Sequence, residues 1–105
     1  MPVGGDPMIL VTGDIVARPD TLDRVLALSL EHVRRSRAEP GCISHAVHRD
    51  EENALRLVFV EQWSDRTALL AHFAVPASRA FAKAVGGLAA QAPTLQIYDA
   101  QPVQL

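Results

Sequence analysis

Apolar residues change their spacing several times along the chain, and each change marks an element. Met8-Ile9-Leu10-Val11 and, beyond Thr12-Gly13-Asp14, Ile15-Val16 are apolar on both faces and predict a first strand interrupted by that polar trio. Pro19-Asp20 punctuates it; Asp20 is a suitable N-cap, and Asp23 puts negative charge in a first helical turn. Leu22, Val25, Leu26, Ser29, Leu30 and Val33 then recur at helical spacing, with Arg24, Glu31 and Arg35 outside the stripe. Glu39-Pro40-Gly41 stops this helix. Cys42 to Arg49 and Leu55 to Trp63 read as strands joined by the polar turn Asp50-Glu51-Glu52-Asn53, an antiparallel hairpin. Ser64 is placed to cap a second helix through Leu69, Leu70, His72 and Phe73. Pro76 restarts or redirects that helix toward Phe81 and Val85, and Gly86-Gly87 ends it. Thr94 to Ala100 is a final strand.

The order βαββαβ predicts an α+β, ferredoxin-like fold, a four-stranded antiparallel sheet with its helices on one face. Residues 1–7, rich in Gly and Pro, are expected to be a flexible start, and residues 8–105 a single domain. In the third strand Leu55, Leu57 and Phe59 alternate with Val58 and Val60, so neither sheet face suits water. A second copy of the chain is expected to cover the open face, as a homodimer.

Bulk properties narrow the functions. A chain of 105 residues has room for one domain, and 49% hydrophobic with 21% charged residues is ordinary for a globular protein. With a net charge of −2 and no basic stripe interleaved with aromatics, nucleic acid is not an expected partner. Arg34, Arg35 and Arg37 fall at a helix end, where cations suit the helix dipole. The lone cysteine, Cys42, makes no internal disulfide and belongs to no zinc-like spacing. No basic-then-apolar leader and no run of 18 apolar residues is present, which points to the cytoplasm and away from membranes.

Glu39-Pro40-Gly41-Cys42, then Glu61-x-Trp63, then Ala68-Leu69 followed by His72, resemble the antibiotic biosynthesis monooxygenase domain family over about residues 8–103. The resemblance implies a dimeric α+β barrel. The superfamily includes cofactor-free quinol and anthrone oxygenases, haem-degrading enzymes and isomerases of small signal molecules, and fold alone does not choose among them. The haem-degrading branch has an Asn on strand one and a Trp and a His on the late helices. Here strand one reads Thr12-Gly13-Asp14 and no His follows Phe81, which disfavours haem. His45 stands where many relatives carry an aromatic residue.

Cofactor-free oxygenation requires a phenol or quinol in an apolar pocket, a base to remove its proton, and a donor or two to steady the anion. His72, which the resemblance singles out, is the leading base; it is alternatively a histidine hydrogen-bonded to backbone at the surface or an interface. Glu61 shares a strand face with Leu57, Phe59 and Trp63, so it needs either a catalytic task or a structural partner. Trp63, His45, Phe59, Phe73 and Phe81 are the expected substrate contacts. His45 and His48 are three residues apart on a strand and cannot chelate one ion together, so no metal site is expected, and no cofactor. Cys42 reads as a small apolar residue, and Asp14 as either a neighbour of a bulge at Gly13 or a polar pocket wall. No phosphate-cradling loop, dinucleotide fingerprint or nucleophile elbow is present. The expected function is a cofactor-independent monooxygenase using molecular oxygen on a small quinol- or anthrone-like aromatic. The alternatives are a cofactor-free isomerase or lyase of a small carbonyl compound, and a non-catalytic binder of an apolar metabolite.

Overall fold

The computed structural model describes residues 6–105, so of the flexible start expected over residues 1–7, the first five positions lie outside the described residues. The elements are β1 (Met8–Val16), α1 (Leu22–Ser36), β2 (Cys42–Asp50), β3 (Asn53–Trp63), α2 (Arg66–Ala74), α3 (Pro76–Leu88) and β4 (Thr94–Ala100). They form one antiparallel sheet in the order β2-β3-β1-β4, the ferredoxin-like arrangement. Among the described residues no helix is long and apolar enough to cross a membrane.

The strand alternation sorts side chains onto two faces. Ile9, Val11, Ile15, Leu57, Phe59 and Trp63 are buried on the helix-covered face. There, Ile15, Leu57 and Phe59 pack with Val25 and Val33 of α1 and Val85 of α3. Ile9, Val11 and Trp63 form a second cluster with Leu69 of α2. The opposite face carries Leu10, Val58 and Val60, each half-buried in the single chain. Leu95 and Ile97 of β4 pair with Gly13 and Val11, yet remain 52% and 50% exposed, because the helices stop short of this edge strand.

Several local expectations are corrected. β1 runs unbroken through Thr12-Gly13-Asp14 with continuous pairing on both sides, so there is no bulge. Gly13 instead answers a close approach: a Cβ there would lie 2.8 Å from the Thr94 carbonyl oxygen and 3.2 Å from Leu95 Cδ1. Asp20 does not cap α1. Thr21 occupies the N-cap, and its hydroxyl accepts from the Arg18 N–H at 3.0 Å and donates to the Leu88 carbonyl at 2.8 Å, tying the helix start to the end of α3. The cap of α2 is Asp65, whose carboxylate accepts from Ala68 N–H at 2.8 Å, rather than Ser64. Gly86-Gly87 does not end α3, which continues to Leu88. Pro76 does divide the helical segment: it is the first residue of α3, and Val75 before it is extended, as a residue preceding proline prefers.

Gly41 is the only described residue with positive φ, at 80°. A Cβ there would meet Ala68 Cβ at 2.5 Å and Ser64 Oγ at 2.7 Å, at the turn that leads into β2. Both the left-handed backbone and the steric overlap oppose a side chain. Gly41→Ala is therefore expected to cost more than about 2 kcal/mol, read as a lower urea midpoint; an unchanged midpoint would contradict it.

Candidate functional site

Sheet register places the first pair of polar groups. His45 of β2 is the cross-strand partner of Glu61 on β3, and both point to the helix-covered face. Trp63, two residues along β3, donates its indole N–H to Glu61 Oε1 at 2.9 Å. His45 Nε2 lies 3.3 Å from the same oxygen, within ion-pair range but outside hydrogen-bonding alignment. Burial pushes the Glu61 carboxyl up; the adjacent His45 imidazole, the Trp63 N–H and His72 outweigh it and hold Glu61 below the usual carboxylate range.

Two helices complete the cluster. α2 brings His72, 3% exposed, against Trp63 with ring centroids 4.6 Å apart. His72 Nδ1 meets Glu39 Oε1 at 2.8 Å, so in the neutral ring Nδ1 carries the proton and Nε2 the lone pair. α1 brings His32, 5% exposed, stacked on Phe81 of α3 at 4.1 Å. Arg35 donates to His32 Nδ1 at 3.0 Å, which assigns the proton of this neutral ring to Nε2. Burial, then the imidazoles of His45 and His72, then Arg35, push His32 down to about 3, with Glu61 opposing; at neutral pH this ring is uncharged.

A cavity of about 280 Å³ opens beside this cluster. Phe59, Phe73, Phe81, Ile15, Val85 and Leu95 make its apolar walls; His32, Glu61, His72 and Ser78 are buried polar groups among its lining residues, and Asp14, Arg79 and Thr94 line it as well. The volume sits at the small end of ligand sites and suits a small aromatic. Ser78, in the first turn of α3, is 7% exposed and its hydroxyl has no hydrogen-bond partner in the chain. His72 also lines a second depression on the far side, with Glu39, Gly41 and Ser64, so its ring stands between the cavity and an outer groove.

The structure thus brings the expected His72, Glu61, Phe59, Phe73 and Phe81 together around one cavity. Trp63 and His45, expected as substrate contacts, are placed differently: at 0% and 1% exposed, neither reaches the cavity, and both stand behind its wall against Glu61 and His72. Asp14 is a wall residue of the cavity, and bonds from the Thr94 hydroxyl and Arg56 hold its carboxyl low. Cys42 packs beside the Trp63 cluster, and burial together with Glu39 and Glu61 pushes its thiol up, which is unlike a nucleophile. Sequence reading missed His32, Glu39 and Ser78. His32 carried a usable signal: it lies three residues after Ser29 and seven after Val25, on the buried stripe of α1.

Fold and site define a ferredoxin-like domain with a histidine-rich, apolar cavity under its helices. The antibiotic biosynthesis monooxygenase family model matches residues 8–84, and the chain belongs to that family. It is 36% identical to an uncharacterized protein from Synechocystis sp. over 101 residues, covering 96% of this chain and 69% of that one. A crystal structure of an antibiotic biosynthesis monooxygenase superposes with a TM-score of 0.83 at 30% identity, covering 90% of this chain and 100% of the other. A structure from Mycobacterium tuberculosis gives 0.83 at 25% identity, covering 94% and 97%.

Proposed function

We propose that this chain is a cofactor-independent monooxygenase acting on a small phenolic, quinol or anthrone-like aromatic, with His72 as the general base. The observation that carries the reading is His72 itself: it lines an apolar cavity, and its outer nitrogen is fixed on Glu39. A phenolic or enolic proton passes to His72 Nε2, and Glu39 holds the tautomer and offsets the imidazolium charge that forms. The electron-rich anion then reduces O₂ directly. For an anthrone-like methylene the net change is CH₂ + O₂ → C=O + H₂O, one oxygen atom entering the ketone and the other leaving as water, with no outside reductant.

The remaining polar groups have supporting tasks. His32, neutral with its Nε2 proton, is a donor suited to an oxyanion, and the unpartnered Ser78 hydroxyl is a second. Glu61 is held by Trp63 beside His45 and serves as a fixed negative charge rather than a second base. A homodimer belongs to the same reading, supported by the half-exposed Leu95 and Ile97 of β4 and by Leu10, Val58 and Val60 on the open face.

The test is oxygen uptake by metal-stripped protein with a panel of quinols and anthrones, repeated anaerobically with product analysis. Oxygen-dependent turnover without added metal or flavin is expected. Turnover that continues unchanged without oxygen would replace the oxygenase with an isomerase, and a ligand recovered intact would replace it with a binding protein.

A further inference from the structure

Proton transfer through His72 leaves one feature of the cluster unused. His32, His45 and His72 come from α1, β2 and α2, and each offers a ring nitrogen within 4.8 Å of those of the other two. Their ring centroids form a nearly equilateral triangle with sides of 5.3, 5.2 and 5.5 Å. Three imidazoles holding one tetrahedral ion at about 2.0–2.1 Å have centroids roughly 5 Å apart, so these rings stand at chelate spacing, and ring rotation has to bring their nitrogens, now within 4.8 Å, to roughly 3.3 Å.

Other observations point to a ligand here. His45 is 1% exposed; its Nδ1 has no hydrogen-bond partner and its Nε2 only the misaligned Glu61 carboxylate, a costly state for a buried imidazole that a bound ion would lessen. His72 donates Nδ1–H to Glu39, the carboxylate–histidine arrangement that orients metal-binding imidazoles. Glu61 supplies a carboxylate 3.3 Å from His45 Nε2. Imidazoles with a single carboxylate suit a transition-metal ion, whereas magnesium and calcium require mostly oxygen donors.

We infer that His32, His45 and His72 form a binding site for one divalent transition-metal ion of the zinc, cobalt or nickel class, with Glu61 as the adjoining carboxylate. Arg35 opposes it. Its bond to His32 Nδ1 keeps the proton on Nε2, the atom left for the ion, so binding requires Arg35 to let go and turn to Glu31, 3.9 Å away. An ion here also takes the Nε2 lone pair that His72 needs as a base. The inference does not rest on the oxygen chemistry, which is tested on metal-stripped protein, and either can fail alone.

The experiment is titration of tag-free, metal-stripped chain with Co²⁺, followed by visible absorption and by Zn²⁺ competition. One equivalent per chain is expected, with the intense bands of low-coordinate cobalt. His45→Phe, checked for folding by circular dichroism, is expected to weaken binding roughly 100-fold or more. If that chain does not fold, His32→Gln is read in the same way. Arg35→Ala is expected to tighten binding, and His48→Ala, exposed on the other face, to leave it unchanged. Absence of stoichiometric cobalt or zinc binding would overturn the inference. So would equal affinity in the His45 or His32 variant, or weaker binding in Arg35→Ala.

Discussion

Replacing His72 with alanine is expected to lower the rate of substrate oxidation by roughly 10²–10⁴-fold, the usual contribution of a positioned general base. The cavity walls formed by Phe59, Phe73 and Phe81 remain, so the loss should appear in kcat more than in KM. Glu39→Gln offers a finer test. It keeps the shape of the partner at His72 Nδ1 but removes its charge, so the imidazolium formed on proton uptake loses its balance. A lower kcat with KM little changed is expected. Unchanged kcat in His72→Ala would remove this residue from the chemistry.

The second large effect is acid instability. His32 is held neutral in the fold down to about pH 3, whereas an unfolded histidine takes its proton near 6.5. Between these values the unfolded chain binds the additional proton, so stability rises with pH across the window. It is fully present above about pH 6.5 and drains away as pH falls toward 3, reaching a loss on the order of 3 kcal/mol near pH 4.5. The groups facing His32 are His45 of β2, His72 of α2, Arg35 on its own helix and Glu61 of β3. Glu61, held low in the fold, adds its own loss only below the ordinary carboxylate range. Urea unfolding of metal-stripped protein at a series of pH values should show the slope, and His32→Gln should flatten it. Parallel curves for the two chains would contradict the assignment.

The fold was legible because its signals are local and periodic. The apolar runs of β1 and β3, Pro76 between two helical segments, and Thr94 to Ala100 as the last strand needed only the alternation of side chains and the chemistry of turn residues. Caps were read less well. Thr21 and Asp65 sit next to Asp20 and Ser64, and from sequence either member of each pair is a good cap.

Candidate residues divide along the same line. Glu61 was legible as a carboxylate in an apolar row, and His72 from its place in the family motif. Glu39 was not, although it stands in the segment that carries the family resemblance, because its contact with His72 spans 33 residues and exists only when α2 packs beside that loop. His45 and His48 do lie on opposite faces, as spacing implied, but this says nothing of imidazoles arriving from α1 and α2. Likewise Trp63 and His45 belonged to the right face, and only the depth of the helices decides that they stand behind the cavity wall rather than in it.

The central claim is that the cavity takes a proton from a phenolic ligand through His72. It is tested most directly by the absorption spectrum of a chromogenic phenol bound anaerobically to metal-stripped protein, at a pH below the phenol's own pKa. The expected result is a bound phenolate spectrum, saturating at one ligand per chain and lost in His72→Gln. A bound phenol that keeps its neutral spectrum, or a phenolate spectrum that survives in His72→Gln, would contradict the claim.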